Sequence, residues 1–316
     1  MRAAAILGAI VTVVLAVLTV GLAPAEEAGA RREAFDLRYH TDSPRQVLDV
    51  FRPAGDAPAP VVLFLHGGGW TIGDKNFFGL YRGVGRWFAR QGYVAVLANY
   101  RLSPQVRHPE HARDVARAFA WVRKHAKEYG GDPDRVVLAG HSAGGHLATL
   151  IASAPDYLAE ADRPAVKAVV GISGVYRIPD QAEIAKVGGN LVAGLLGVGG
   201  PPAMPAWLRK PGEVFNPLAT VFGTDRTAYP AASPITHVRK DLPPHLVLYS
   251  GLEIPPLGEQ AAEYADTLRK VGADVTVEKI ADADHNTIAF RLARPDDPTA
   301  KAIGAFLKRA MPEARP

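Results

Sequence analysis

The chain has no cysteine in its 316 residues. That excludes disulfide staples, a thiolate nucleophile, a cysteine-bearing metal site and a lipid attached to the N-terminus through a thioether. Long blocks of one charge are also missing. The formal net charge is +4, and the basic residues are scattered, with Arg31-Arg32 the densest pair near the start. Scattered charge reads as an ordinary solvated surface, so no nucleic-acid partner is expected. No His, Asp and Glu cluster has metal-ligand spacing, and no P-loop or G-x-G-x-x-G follows the first strand-like run, so no metal, nucleotide or other cofactor is expected. Internal repeats are absent too. What remains is 48% hydrophobic and 22% charged, a balance that supports a sizeable core and argues against global disorder.

The N-terminus is unlike the rest. Arg2 precedes an uncharged stretch from Ala3 to Ala23, and Ala23-Pro24-Ala25 then offers small residues where a signal peptidase reads, followed by Glu26 and Glu27. Residues 1–25 are expected to be a secretory signal, which makes the protein periplasmic or extracellular. The alternative is retention as an anchor through residues 3–23, since about 20 apolar residues span a bilayer; membrane contact is expected only in that case. Residues 26–33 read as a polar linker and 34–316 as the folded domain.

Within that domain, apolar runs alternate with helix-length segments. Val61–Leu65, Tyr93–Leu97, Val136–Leu138 (within Arg135–Ala139), Ala168–Ile172 and Leu246–Tyr249 are continuous apolar runs, and Val275–Val277 is a weaker sixth run. Runs apolar on both faces suit strands of a parallel sheet covered on both sides. Phe35–Tyr39 and Val47–Phe51 alternate more, as outer antiparallel strands do. Helical spacing is seen over Phe77–Gln91, His111–Tyr129, Ser142–Ser153, Gly258–Val271 (with Gly272 as its stop) and Thr299–Ala310. The fold class is therefore α/β, with a mostly parallel central sheet and helices on both faces. Residues 175–235, rich in Gly and Pro, break the rhythm and are expected to form an insertion over the sheet's carboxyl edge, either a lid or a surface excursion with no gating role.

Two motifs carry chemistry. Gly140-His141-Ser142-Ala143-Gly144 is a G-x-S-x-G between an apolar run and a helical pattern, the strand-turn-helix setting that presents a serine hydroxyl at the open end of a sheet. Glycine flanks it because so sharp a turn leaves no room for side chains. His66-Gly67-Gly68-Gly69-Trp70 follows the run Val61–Leu65, and consecutive glycines let backbone N–H groups face an anion without obstruction. Gly67, Gly68, Gly69 and Ala143 are the expected oxyanion donors. His66 is expected to brace the glycine loop, and His141 and His146 flank the serine. Trp70 either lines the acyl side of the pocket or packs in the core. Asp114 reads as a buried structural hydrogen-bonder, and Asp132 and Asp134 as turn residues.

These stretches resemble the hormone-sensitive-lipase-like and feruloyl-esterase or arylformamidase-like branch of the α/β-hydrolases. The likeness is carried also by Leu48–Pro53, Gly73-Asp74-Lys75, Asn99–Pro104 and Asp284-His285, and covers about residues 34–310. It implies an α/β-hydrolase fold and a serine carboxylic-ester hydrolase that takes small to medium acyl or aryl esters through an acyl-enzyme on Ser142, with no cofactor. The chain order serine, acid, histidine then points to His285 as the base. Glu253, just past the run Leu246–Tyr249, is the acid, at a place where the family more often has aspartate; Asp282 and Asp284 compete by proximity to His285. Two rivals stand beside this reading. One is an amide hydrolase, arylformamidase-like or a peptidase, built on the same residues. The other is a catalytically silent binding protein on the same fold.

Overall fold

The computed structural model describes residues 33–55, 57–179, 218–294 and 296–312. The expected signal or anchor, the linker up to residue 32 and the middle of the expected insertion, 180–217, lie outside the described residues. Among the described residues, no helix is long and apolar enough to cross a membrane.

Eight strands make one sheet: β1 (Glu33–Arg38), β2 (Val47–Phe51), β3 (Ala59–Leu65), β4 (Val94–Ala98), β5 (Gly131–His141), β6 (Val166–Ile172), β7 (His245–Leu252) and β8 (Val275–Asp284), in the spatial order β1-β2-β4-β3-β5-β6-β7-β8. β1 pairs antiparallel with β2 and β2 with β4; every other pairing is parallel. Among the described residues, five longer helices flank the sheet: α1 (Leu80–Arg90), α2 (Glu110–His125), α3 (Ala143–Ser153), α4 (Leu257–Lys270) and α5 (Pro298–Ala310).

The uniformly apolar strands follow from their two covered faces. Side chains alternate along a strand. Val61, Leu63 and Leu65 of β3 pack with α2 and α3 residues such as Phe119 and Leu147, while Val62 and Phe64 pack with α1 and α5 residues such as Phe88 and Phe306. Burying a side chain of this size contributes about 1.5–3 kcal/mol, so both sets of positions must be apolar.

Four expectations shift in detail. Glu33 is the first residue of β1, not linker, and its carboxylate holds Arg86 at 2.9 Å. α1 begins at Leu80 rather than Phe77, because Phe77, Phe78 and Gly79 all have positive φ (32°, 55° and 84°) and form a tight loop before it. The helical pattern ending at Tyr129 divides into α2 and a short 3₁₀ turn, Ala126–Tyr129, stopped by Gly130 at φ 76°. Asp132 and Asp134 fall within the start of β5, where Asp134 pairs with Arg123 at 2.6 Å.

Parallel pairing brings the carboxyl ends of β3, β5, β6, β7 and β8 to one edge, where α/β sheets carry their sites. Register fixes the neighbours there: Leu65 stands beside Gly140, His141 beside Ile172, and Leu252 beside Asp284.

Candidate active site

β5 ends in a turn that only a few residues can form. Ser142 has φ 55° and ψ −120°, a conformation that costs an L-residue about 1–3 kcal/mol. Glycine is required on both sides. A Cβ on Gly140 would lie 2.3 Å from the Gly144 carbonyl oxygen, and one on Gly144 would lie 2.2 Å from that of Leu65. The turn is held by hydrogen bonds from Ser142 N–H to Ile172 O (2.8 Å) and from His146 N–H to Ser142 O (3.0 Å). Ser142 thus stands fully buried at the N-terminus of α3.

Because Leu252 and Asp284 are register partners, the residues that follow them, Glu253 and His285, emerge side by side. His285 Nε2 is 2.9 Å from Ser142 Oγ, and its Nδ1 is 2.6 Å from Glu253 Oε1. The structure therefore brings together three residues as far apart in sequence as 142 and 285. Glu253 is almost enclosed. Burial raises its pKa, but hydrogen bonds from His285, Ser173 and Ser250 outweigh that and lower it to about 2. Oε2 accepts from Ser173 Oγ at 2.5 Å and from Ser250 N–H and Oγ at 3.0 Å, and Oε1 also accepts from Ile254 N–H at 3.0 Å. An ionised carboxylate only accepts, so Nδ1 of His285 carries the proton and Nε2 is left free to accept from Ser142 Oγ–H.

The competing acids stand elsewhere. Asp284 Oδ1 accepts from the N–H groups of Asn286 and Thr287, capping the turn that follows, and Asp282 is exposed near Arg291. Ser173 and Ser250, which support Glu253, belong to no sequence motif. Their only signal is position, one residue past β6 and near the end of β7, at the edge where the acid had to be.

The glycine loop needs one correction. Gly67 does not present a free donor, because its N–H already donates to Tyr81 Oη at 2.8 Å. Its lack of a side chain serves proximity instead: a Cβ there would lie 2.9 Å from His141 Nδ1 and 3.2 Å from Ser142 Cβ. Gly68 and Gly69 N–H have no acceptor among the described residues, and Ala143, the first residue of α3, has no intrahelical acceptor for its N–H. Of the four expected donors, those three N–H groups are the ones left without a partner of these kinds.

Buried polar groups hold the loop. His66 stacks on Tyr100 with ring centroids 4.4 Å apart and donates Nδ1–H to Gly67 O at 2.7 Å. Farther along, Lys75 Nζ lies 2.8 Å from Asp49 Oδ1 on β2, both nearly inaccessible, and Arg82 holds the other oxygen of Asp49 at 2.8 Å. Lys75 Nζ also lies 2.7 Å from Asp36 Oδ1, an exposed carboxylate, so neutralising Asp49 leaves the buried Lys75 with one carboxylate instead of two. Asp49→Asn is expected to destabilise the fold by about 1–3 kcal/mol, read as a lower urea midpoint at unchanged slope; an unchanged midpoint would contradict the role given to this ion pair.

Trp70 packs in the core, one of its two expected roles, and it borders a small cavity whose lining includes neither Ser142 nor His285. Its indole N–H points to His146 Nδ1 at 3.2 Å and its ring meets Phe222 edge-on at 5.0 Å, while Val175, Leu218, Leu257 and Gln260 line the cavity with it. Val175 and Leu218 belong to the described flanks of the expected insertion. Asp114 is fully buried and holds Arg101 and Gln46, each at 2.8 Å, as a structural residue. No group of three His, Asp or Glu among the described residues is placed to hold a metal ion.

Compared with known proteins, the chain matches the BD-FAE family over residues 48–252. It is 34% identical over 277 residues to esterase LipC of Mycobacterium tuberculosis, covering 85% of this chain and 63% of that protein. It is also 34% identical over 254 residues to the probable carboxylic ester hydrolase LipM of the same organism, covering 77% of this chain and 53% of that protein. The chain thus spans about three fifths of the length of these curated relatives. Among solved structures it resembles a truncated carbohydrate esterase from gut microbiota (TM-score 0.68, 19% identity, 92% of this chain and 99% of that one). It also resembles esterase 2 of Thermogutta terrifontis phosphonylated by sarin (TM-score 0.64, 23% identity, 91% and 98%). Identities this low speak to the fold alone, and that fold is the α/β-hydrolase one that the motifs led us to expect.

Proposed function

Because this chain belongs to the BD-FAE family of α/β-hydrolases, we propose that it is a serine carboxylic-ester hydrolase acting on small to medium acyl or aryl esters. The observation that carries the proposal is the unbroken line from Ser142 Oγ to His285 (2.9 Å) to Glu253 (2.6 Å). Ser142 Oγ attacks the ester carbonyl as its proton passes to His285 Nε2. Glu253, ionised, stabilises the imidazolium through Nδ1–H. The carbonyl oxygen, now negative, is met by the N–H groups of Gly68, Gly69 and Ala143. His285 returns the proton to the departing alcohol, leaving an ester on Ser142. Water then repeats the sequence: its proton goes to His285, its oxygen to the acyl carbon, and Ser142 recovers its hydrogen as the acid leaves.

The substrate class is tested on purified protein with p-nitrophenyl esters of rising chain length beside formyl-arylamines and peptide anilides. Turnover of the short esters well above both amides is expected. Preference for the formyl-arylamines or anilides would replace the reading with an amide hydrolase.

Glu253→Gln tests the acid. Oε2 faces three donors, and Oε1 faces two, His285 and the Ile254 N–H. The glutamine oxygen is drawn to the first position, so its NH₂ turns toward Nδ1. His285 must then accept there and carry its proton on Nε2, the wrong tautomer for a base. A fall in kcat of about 10³–10⁴-fold is expected; a change below tenfold would remove Glu253 from the role.

We propose also that the protein is exported, on the strength of the Ala3–Ala23 stretch, with anchoring by residues 3–23 as the alternative. N-terminal sequencing of the protein from a secreting host should start at or near Glu26, and an intact Met1 in a membrane fraction would favour the anchor.

A further inference from the structure

One buried line of polar groups is not used by this chemistry, yet touches the glycine loop, the serine turn and the His285 loop. Tyr81 lies on α1, nearly inaccessible, with its ring against Phe64, Phe77 and Phe290. Its hydroxyl accepts the Gly67 N–H at 2.8 Å and stands 2.8 Å from His141 Nδ1. The other nitrogen of His141, Nε2, is 2.6 Å from the backbone carbonyl of His285.

The direction of every proton follows. A carbonyl oxygen only accepts, so Nε2 of His141 carries the hydrogen. Burial and the neighbouring His285 lower the pKa of His141 to about 3, so the ring holds a single proton at neutral pH and Nδ1 is bare. The Tyr81 hydroxyl therefore donates to Nδ1 and accepts from Gly67. The line reads Gly67 N–H to Tyr81 O–H to His141, and His141 N–H to His285 carbonyl.

This line joins strands that do not pair. β8, which delivers His285, is separated from β5 by β6 and β7, and from β3 by one strand more. Sheet hydrogen bonds alone leave the distance between the histidine loop and the serine turn to accumulate error over three strand spacings. Resting on the hydrolase reading, we propose that Tyr81 and His141 are positioning residues that fix the glycine loop, the serine turn and the His285 loop to one another. By occupying the Gly67 N–H they also restrict the donors available to a bound oxygen to Gly68, Gly69 and Ala143.

The test is Tyr81→Phe, which removes one oxygen and keeps the ring packing, assayed on a short p-nitrophenyl ester at a fixed interval below each variant's own Tm. The expected result is a kcat about 10- to 100-fold lower, as for a small misplacement of reacting groups, with KM within about threefold. His141→Phe is expected to show the same split. The double variant should be no slower than the slower single one, since both break one line. His141→Gln, whose amide N–H reaches toward the place of Nε2, should recover part of kcat. Wild-type kcat in Tyr81→Phe, a loss confined to KM, or losses that multiply in the double variant would each overturn the proposal. Ser142→Ala separates the two levels. If it loses activity while Tyr81→Phe does not, the positioning role alone fails; if it keeps activity, the hydrolase reading and the positioning role fail together.

Discussion

Ser142→Ala is expected to lower kcat by roughly four to six orders of magnitude, while the protein keeps its Tm within a few degrees. The size of the loss follows from the geometry. Ser142 Oγ is the atom that faces His285 Nε2, so its removal ends the covalent route and leaves nothing for His285 to deprotonate except water. What survives is the contribution of the oxyanion donors and of binding, which in serine hydrolases of this plan amounts to about 10³–10⁴ over the uncatalysed reaction. The fold is spared because, among the described residues, the Ser142 side chain makes one hydrogen bond, to His285, and its removal relieves nothing of the backbone turn, which is set by Gly140 and Gly144. The measurement is kcat on an activated ester together with labelling by a fluorophosphonate probe. Wild type should be labelled and Ser142→Ala should not. A folded wild-type protein that takes no label would instead favour a binding protein on this fold.

The second large effect is on stability. His66, His111, His141, His146 and His245 are all buried. Burial, the leading cause in each, lowers their pKa values to about 4 for His66, His111 and His245 and to about 3 for His141 and His146. In the unfolded chain each returns to about 6.5. Unfolding therefore takes up protons once the pH falls below about 6.5, and stability is lost as the pH drops toward the folded values. Each histidine contributes about 1.4 kcal/mol per pH unit in that window. Five together remove on the order of 10 kcal/mol by pH 5, comparable to the whole stability of an ordinary domain. Glu253, lowered to about 2, has the same sign and extends the loss below the usual carboxylate range. Urea midpoints at pH 7.5, 6 and 5 should fall steeply, and a flat profile between pH 7 and 5 would mean that these imidazoles reach solvent in the folded state.

Much of this architecture was legible because parallel strands leave a plain trace. Val61–Leu65 and Val136–Leu138 are apolar at every position since both of their faces are covered. The serine turn was legible for a steric reason: Gly140 and Gly144 have no substitute when carbonyl oxygens stand where their Cβ atoms would be. Glu253 could be placed because a carboxylate was needed past β7. The remainder depends on contacts without local pattern. Which of three consecutive glycines offers its N–H to an anion is decided by Tyr81, a residue that in sequence is one more aromatic on an amphipathic helix. Helix α1 begins late because of three positive φ angles at Phe77, Phe78 and Gly79, two of them on residues that rarely adopt them. Ser173 and Ser250 support Glu253 from the end of β6 and from β7, a convergence that only the register between strands creates.

The placement of His285 just after β8 has a consequence for the order in which the proposed site is made. From β5 to β8 the strands are laid down in sequence order across the sheet, and His285 lies 143 residues beyond Ser142. At a ribosomal rate of about 5–20 residues per second, the nucleophile is made roughly 7 to 30 s before its partner. On the proposed mechanism, a nascent chain that has Ser142 but not yet His285 lacks the base, and reactivity toward esters arrives only once the segment carrying His285 has been made.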